Sequence, residues 1–551
     1  MRLLRQLVTA AALLAAPCTA SAKEAAPPPA APPRLVVAIS VDQLSADIFA
    51  QYRQFFTGGF ARLQQGAVFP SAYQSHAATE TCPGHATLLT GARPARTGII
   101  ANNWFDLSLT RADKRVYCAE DTRSPASTSR DPAVSAFHLK VPTLGERMKA
   151  ADPASRNVAV SAKDRAAIMM GGHAIDAAYW WKNGAFVSLE DRLQTRSVQA
   201  VNAAAAATIR KGAKAFALPA LCTARDRAVQ AGSITMGRGR FALEAGKADG
   251  FRVSPRMDGA TADLAIALVD ELQLGKRSAS DMLSVSFSAS DYVGHAYGSE
   301  GAEMCIQLFE LDRTLGRFLA ALDKRRIDYM VVLSADHGGL DAPERLDQQA
   351  LPSAARVDPL LEPGALAKAV SEKTGITVQG PLFYSDGPFG DYYISRNLAS
   401  AEKARVLDAV VPMLKAHSQV AAVLTAQELA ETPAPVTGPQ DWTLRERARA
   451  SFDPLRSGDF VVLLDRAVVP IPTPVPGYTA THGSPWDYDR RVPLLFWRKG
   501  LPGMEQPAPV ETVDIAPTLT AILALKVPDG AFDGRCLDID GSAANTCGGQ
   551  P

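Results

Sequence analysis

The feature that most restricts the fold of this chain is a set of short, nearly unbroken apolar runs: LVVAISV (35–41), NVAVSA (157–162), MLSVSFS (282–288), YMVVLS (329–334) and VPLLFW (492–497). Strands with one wet face alternate apolar and polar residues, whereas strands covered on both faces read as continuous apolar stretches. Helical patterns such as EMCIQLFELDRTLGRFLAAL (303–322) fall between the runs. The expected class is therefore α/β, a largely parallel central sheet flanked by helices, in one large domain over 35–545. Two stretches break the alternation, about 176–260 and about 340–475, the second rich in Pro, Gly and Ala. They are expected to be inserted cap segments at the carboxyl edge of the sheet.

Composition excludes some partners. A hydrophobic share of 47%, a charged share of 21% and a formal net charge of +1 over 551 residues are ordinary for a globular protein and give no field for nucleic acid or membrane surfaces. Residues 1–22 have the pattern of a secretory signal peptide: Arg2 and Arg5, an apolar stretch from Leu7 to Ala16, and Ala20-Ser21-Ala22 as a cleavage site. That stretch is too short to span a bilayer, and no other stretch is long and apolar enough. Residues 23–34, including AAPPPAAPPR, read as an extended proline-rich tether. Removal of the leader takes away two arginines and moves the formal charge from +1 to −1. The expected location is periplasmic or secreted. Cys82, Cys118, Cys222, Cys305, Cys536 and Cys547 would remain, an even set that favours disulfides in an exported chain. Six cysteines allow about fifteen pairings, of which Cys536–Cys547 is the nearest in sequence.

The chemistry gathers near the strand-like runs. Asp42 follows LVVAISV, Asp291 and His295 stand in SDYVGH, Asp336 and His337 follow YMVVLS, and His482 lies in THGSP. Ligands of open α/β sheets collect at the carboxyl ends of strands, so these groups read as one site. Asp291 and His295 are four apart and share a side on a helical turn. Asp336 and His337 are adjacent and meet only if the backbone turns past the strand. Mixed carboxylate and imidazole donors suit zinc, although ligand type restricts the metal only loosely. Pro83 suits a first helical position, which places Thr81 at or just before a helix cap where an anion is favoured. Lys163 and Arg165, two apart just beyond NVAVSA, would project to the same side in extended backbone.

Together TETCPGHATLLTGARPARTGIIANNWFD (79–106), VDQ (41–43), the D-x-x-x-H of 291–295, ADHGG (335–339) and HGSPWDYDRRVPL (482–494) resemble the alkaline phosphatase superfamily. Within it the chain resembles the phosphodiesterase/nucleotide pyrophosphatase branch, and most of all the phosphate-irrepressible alkaline phosphatases with a threonine nucleophile. The resemblance implies two zinc ions per chain, one held by Asp42, Thr81, Asp336 and His337, the other by Asp291, His295 and His482. It implies that Thr81 becomes phosphorylated during turnover and that Asn102, with Asn103 as the adjacent alternative, donates to a phosphate oxygen. Lys163 and Arg165 match the Lys-x-Arg of monoesterases, and Gly84-His85 stands where diesterases usually have Asn-His. The Cys-x-Pro-x-Arg motif of sulfatases is lacking. The expected substrates are small phosphate monoesters, with no nucleic acid partner and a monomer favoured. A phosphodiesterase and a non-catalytic, metal-dependent phosphoester binder are the alternatives. His85, Trp486, Asp487 and Tyr488 are expected to support the metal ligands.

Overall fold

In the computed structural model, which describes residues 31–189, 195–540 and 545–547, a ten-stranded sheet runs through the centre of the molecule. The signal peptide and the tether up to residue 30 lie outside the described residues. Across the sheet the order is Met504–Glu505, Ala67–Tyr73, Arg491–Arg498, Tyr329–Ser334, Leu35–Val41, Asp281–Phe287, Asn157–Ser161, Ala177–Lys182 and Ala185–Val187, and Val510–Glu511 also pairs with Ala67–Tyr73. Leu35–Val41 sits mid-sheet with a parallel partner on each side, and every one of its residues is buried. Cover on both faces is the physical reason that this strand contains no polar alternation.

Arg491–Arg498 runs antiparallel to both of its neighbours, Tyr329–Ser334 and Ala67–Tyr73. Its register with Ala67–Tyr73 shifts between Val492 and Leu494, around Pro493, and Pro70 lies in the facing stretch. Proline has no N–H to give a ladder, so two prolines facing one another fall where the ladder is already irregular. Ala67–Tyr73 escapes a sequence reading for the same reason, because Pro70 interrupts its apolar run. Ala177–Lys182 continues the sheet parallel to Asn157–Ser161, and Ala185–Val187 closes that edge antiparallel.

Helix Ala302–Lys324 buries Met304, Leu308, Leu311, Leu315, Phe318 and Leu322 along one side, the stripe that its sequence periodicity requires. Residues 340–475 include a separate antiparallel sheet ordered Phe383–Tyr384, Gly390–Ile394, Phe460–Leu464 and Val420–Thr425. Helices Pro363–Thr374 and Ser400–Lys415 pack with it around Val370, Val406, Val410, Tyr392, Phe460 and Val462, a core distinct from that of the main sheet. Disulfides join Cys82 to Cys118, Cys222 to Cys305 and Cys536 to Cys547. Among the described residues, no helix is long and apolar enough to cross a membrane.

Candidate active site

The carboxyl edge of the main sheet brings the sequence-predicted groups into one place. Asp42 is the first residue after Leu35–Val41. Asp336 and His337 follow Tyr329–Ser334 in a turn of irregular backbone. Asp291 and His295 lie on helix Ala289–Tyr297, directly after Asp281–Phe287, with His295 Nε2 3.3 Å from Asp291 Oδ1. His482 comes in the loop before Arg491–Arg498, and its Nε2 is also 3.3 Å from Asp291 Oδ1. Because that strand is antiparallel, its beginning, not its end, faces the site.

These donors form two overlapping sets of metal-binding geometry, Asp42 with Asp336 and His337, and Asp291 with His337 and His482. His337 stands between them: its Nε2 is 3.3 Å from Asp336 Oδ2 and 3.5 Å from Asp42 Oδ1, and its ring stacks on His482 with centroids 3.6 Å apart. The imidazoles are oriented alike by the backbone. Nδ1 of His337 donates to the Gly338 carbonyl at 2.8 Å, Nδ1 of His295 to Ala480 at 2.9 Å, and Nδ1 of His482 to Thr79 at 2.9 Å. With Nδ1 protonated, each Nε2 presents a lone pair to the cluster, the usual support for a metal ligand. Burial pushes the His337 imidazolium down to about 3, so this ring is neutral and available as a donor.

The donor set fits a divalent cation. Asp42 Oδ1, Asp291 Oδ1, Asp336 Oδ2 and His337 Nε2 are buried and make no hydrogen bond, yet they face one another at ion-binding separations. Buried acceptors without a donor are costly unless a cation compensates them, and carboxylate with imidazole is a set that zinc takes.

Thr81 opens helix Thr81–Thr90, with Glu80 at the cap and Pro83 at the third position, two residues further in than a proline-first reading places it. The hydroxyl is fully buried and has two cations beside it, Lys163 Nζ at 3.3 Å and Arg165 Nη2 at 3.5 Å. The pair converges by a route other than extended backbone. Lys163 is the extended cap of helix Asp164–Gly171 and Arg165 is already inside that helix. Lys163 Nζ also bridges Asp42 Oδ2 at 2.7 Å and Asp291 Oδ2 at 2.6 Å. Burial opposes its charge, but Asp291 and Asp42 outweigh that and hold the ammonium protonated above its ordinary range.

Asn102 is the asparagine beside Thr81. Its Oδ1 accepts from the Cys82 N–H at 2.8 Å, its own N–H donates to Glu80 Oε2 at 2.6 Å, and its carbonyl accepts from the Cys118 N–H at 3.0 Å. Asn103 instead donates through Nδ2 to Asp386 at 3.0 Å. His85 lies against the cluster, Nδ1 3.1 Å from Asp336 Oδ2 and Nε2 2.9 Å from Ser286 Oγ. Gly84 is demanded by close approach: a methyl group there would fall 2.1 Å from the Asp336 carbonyl oxygen.

The side chains of Trp486, Asp487 and Tyr488 make contacts other than with His482, while the Tyr488 carbonyl accepts from the Gly339 N–H at 3.1 Å, two residues past His337. Trp486 donates to Leu464, Asp487 pairs with Arg490, and the Tyr488 hydroxyl accepts from Ala467. Sequence reasoning also missed Glu80, which accepts from the Asn102 N–H, and Gln43, whose neighbours Gly294, Asp336 and Gly339 come from segments far away in the chain. Above the site is a cavity of about 300 Å³ whose lining includes Glu80, Asn102, Arg165, Phe389, Tyr478 and His482.

Comparison with known proteins agrees with this arrangement. The profile of the type I phosphodiesterase / nucleotide pyrophosphatase family matches residues 36–485. The chain is 53% identical to alkaline phosphatase PhoK of Sphingomonas sp over 94% of this chain and 93% of that protein, and 51% identical to alkaline phosphatase PhoD of Zymomonas mobilis over 93% and 89%. The crystal structure of alkaline phosphatase PafA superposes with a TM-score of 0.81 at 26% identity, covering 93% of this chain and all of that one. By these matches and by its fold, the chain belongs to the type I phosphodiesterase / nucleotide pyrophosphatase family of the alkaline phosphatase superfamily.

Proposed function

We propose that this chain is an exported, two-zinc alkaline phosphatase that releases inorganic phosphate from small phosphate monoesters through a phosphothreonine at Thr81. The observation that carries the reading is the convergence of Lys163 and Arg165 on the Thr81 hydroxyl, at 3.3 and 3.5 Å. A monoester dianion has one more negative charge than a diester. Two cations fixed beside the nucleophile stabilise that charge in a site shielded from water.

Asp42, Thr81, Asp336 and His337 would hold one zinc, and Asp291, His295 and His482 the other, with His337 near both sets. Zinc, when bound, supplies the positive charge that favours both attack and departure of the leaving oxygen. Thr81 gives up its hydroxyl proton to solvent, Oγ1 forms a bond to phosphorus as the bond from phosphorus to the leaving oxygen breaks in line, and the departing alkoxide takes a proton from solvent. Water then attacks phosphorus, the bond to Oγ1 breaks, and the threonine hydroxyl is restored as phosphate leaves. Lys163 and Arg165 bind the non-bridging oxygens. Since the Oδ1 of Asn102 is committed to the Cys82 N–H, its Nδ2 is the end free to donate to the same group.

The leader pattern of residues 1–22 and the three disulfides support an oxidising destination, the periplasm or the exterior. Part of the stretch at 340–475 lines the cavity over the carboxyl edge and limits access to it, whereas the stretch at 176–260, expected as a second cap, begins with Ala177–Lys182 and Ala185–Val187, which continue the main sheet. The test is a side-by-side assay of an aryl phosphate, the matching diester and an aryl sulfate, with metal content measured on the same preparation. Preferred turnover of the monoester with two zinc ions per chain is expected. Faster turnover of the diester would replace the reading with a phosphodiesterase, and binding without turnover would leave only a phosphoester-binding protein.

A further inference from the structure

Gln43 is a buried residue in an unfavourable state, and it stands between the segments that carry the metal-binding groups. It follows Asp42 directly, at the carboxyl end of the central strand. Its φ is +65°, in the left-handed region that a side chain other than glycine or asparagine seldom occupies. It is 2% exposed, and neither its amide oxygen nor its amide nitrogen makes a hydrogen bond. Strained backbone and an unpaired buried amide both cost stability, and such features persist where the surrounding structure overdetermines them, commonly at functional sites.

The surroundings say what holds it there. A methyl group on Gly294, between Asp291 and His295 on their helix, would fall 1.9 Å from Gln43 Oε1. A methyl group on Gly339, two residues past His337, would fall 2.2 Å from Gln43 Nε2. The amide is thus wedged flat between the backbones of two ligand-bearing segments, while the Gln43 N–H donates to Asp336 Oδ1 at 3.2 Å. One residue touches the Asp291/His295 helix, the Asp336/His337 turn and, through the chain, Asp42.

We propose that Gln43 is a positioning residue, a spacer whose side-chain thickness sets the separation between the two groups of metal ligands. In this role it acts through the ligand-bearing segments and is not itself a ligand. The inference rests on the two-metal reading, and it explains why glycine is needed at 294 and 339: anything larger would displace the spacer. It also makes the strain at +65° a consequence of aiming the side chain into the gap and the N–H at Asp336 at once.

The test compares Gln43→Gly with Gln43→Met in the full chain. Glycine removes the spacer and relieves the backbone, so folding is not impaired by the change of φ. Methionine keeps the length and thickness without the amide. Zinc affinity is read by equilibrium competition with a chromophoric chelator, alongside Tm. Positioning groups around metal ligands typically govern affinity by about 10–100-fold, and a loss of that order is expected for Gln43→Gly with Tm unchanged or raised. Gln43→Met should stay within about threefold of the parent. Parental zinc affinity in Gln43→Gly would overturn the proposal, as would an equal loss in Gln43→Met, which would make the amide and not the thickness responsible. A parent chain that binds fewer than two zinc ions would sink the two-metal reading itself, and the spacer with it.

Discussion

The floor of the cavity, at the carboxyl edge of the main sheet, is a set of acids, imidazoles and cations that hold one another in place, whereas the part of its roof between residues 386 and 464 includes Phe389, Tyr393 and Val461–Leu464 beside a separate apolar core. Floor residues are locked by short polar contacts such as Lys163 with Asp42 and Asp291, and each imidazole is tied to a carbonyl. Phe389, Val462 and Leu464 are placed by packing with Tyr392 and Phe460, and Tyr393 by its ring contact with Phe105. Chemistry that must be positioned to a fraction of an ångström is thus carried by rigid strand ends, and the surface that meets the variable part of a substrate is carried by an element that can differ without disturbing them.

If that division holds, changes in the floor should act on rate and changes in the roof on substrate preference. The largest effect is expected at Thr81. Thr81→Ala should lose turnover by on the order of 10⁴-fold or more, as loss of a nucleophile does, while Thr81→Ser keeps a substantial part because a hydroxyl remains. Rapid quenching with labelled substrate should recover phosphate on the peptide containing Thr81; label on any other residue would remove the covalent role. Next in size is metal withdrawal. Dialysis against a strong chelator should abolish activity and zinc should restore it, and His482→Ala should do the same damage with far-ultraviolet dichroism unchanged. Full turnover in a preparation shown free of metal would break the account of the floor.

The Lys163→Ala/Arg165→Ala double variant comes third. A charge-assisted hydrogen bond contributes about 1.5–3 kcal/mol, so kcat/KM for monoesters should fall by at least about a hundredfold while diester hydrolysis changes little. A common loss on both substrates would mean that the pair supports the floor and does not discriminate. The smallest expected effect is in the roof. Phe389→Ala should raise KM for bulky aryl phosphates by roughly tenfold or less, the scale of one aromatic side chain's burial, with kcat retained. A fall in kcat of the same size would show that the roof shares the work of the floor.

The same division explains what could be read from the sequence. Asp42, Asp336 and Lys163 lie one or two residues beyond buried strands whose apolar runs are unmistakable, so their gathering at one edge follows from the α/β pattern alone. His482 was harder, since it precedes an antiparallel strand and only the motif as a whole marks it. Gln43 was not legible, because nothing local signals a left-handed glutamine, and its neighbours Gly294 and Gly339 are hundreds of residues away. The contacts of the Trp486, Asp487 and Tyr488 side chains with Leu464, Arg490 and Ala467 could not be read from their place after His482, because nearness in sequence to a ligand does not determine which way a side chain leaves the backbone. The roof was illegible as structure because its strands are short, two of them flank the Asp386–Gly390 turn, and its core draws on residues from 357 to 468.

The strand that leads to Thr81 has a further consequence for how the molecule comes into being. Among the described residues, Ala67–Tyr73 finds its sheet partners only in Arg491–Arg498, Met504–Glu505 and Val510–Glu511. During synthesis or translocation this strand therefore has nothing to pair with until nearly the whole polypeptide has emerged, and the loop that brings His482 to the cluster arrives at the same late moment. Pairings so distant in sequence form slowly and leave a hydrophobic edge exposed in the meantime. A chain cut short anywhere before residue 491 would have neither the complete sheet nor the strand that His482 precedes, so truncated products cannot form the assembled site.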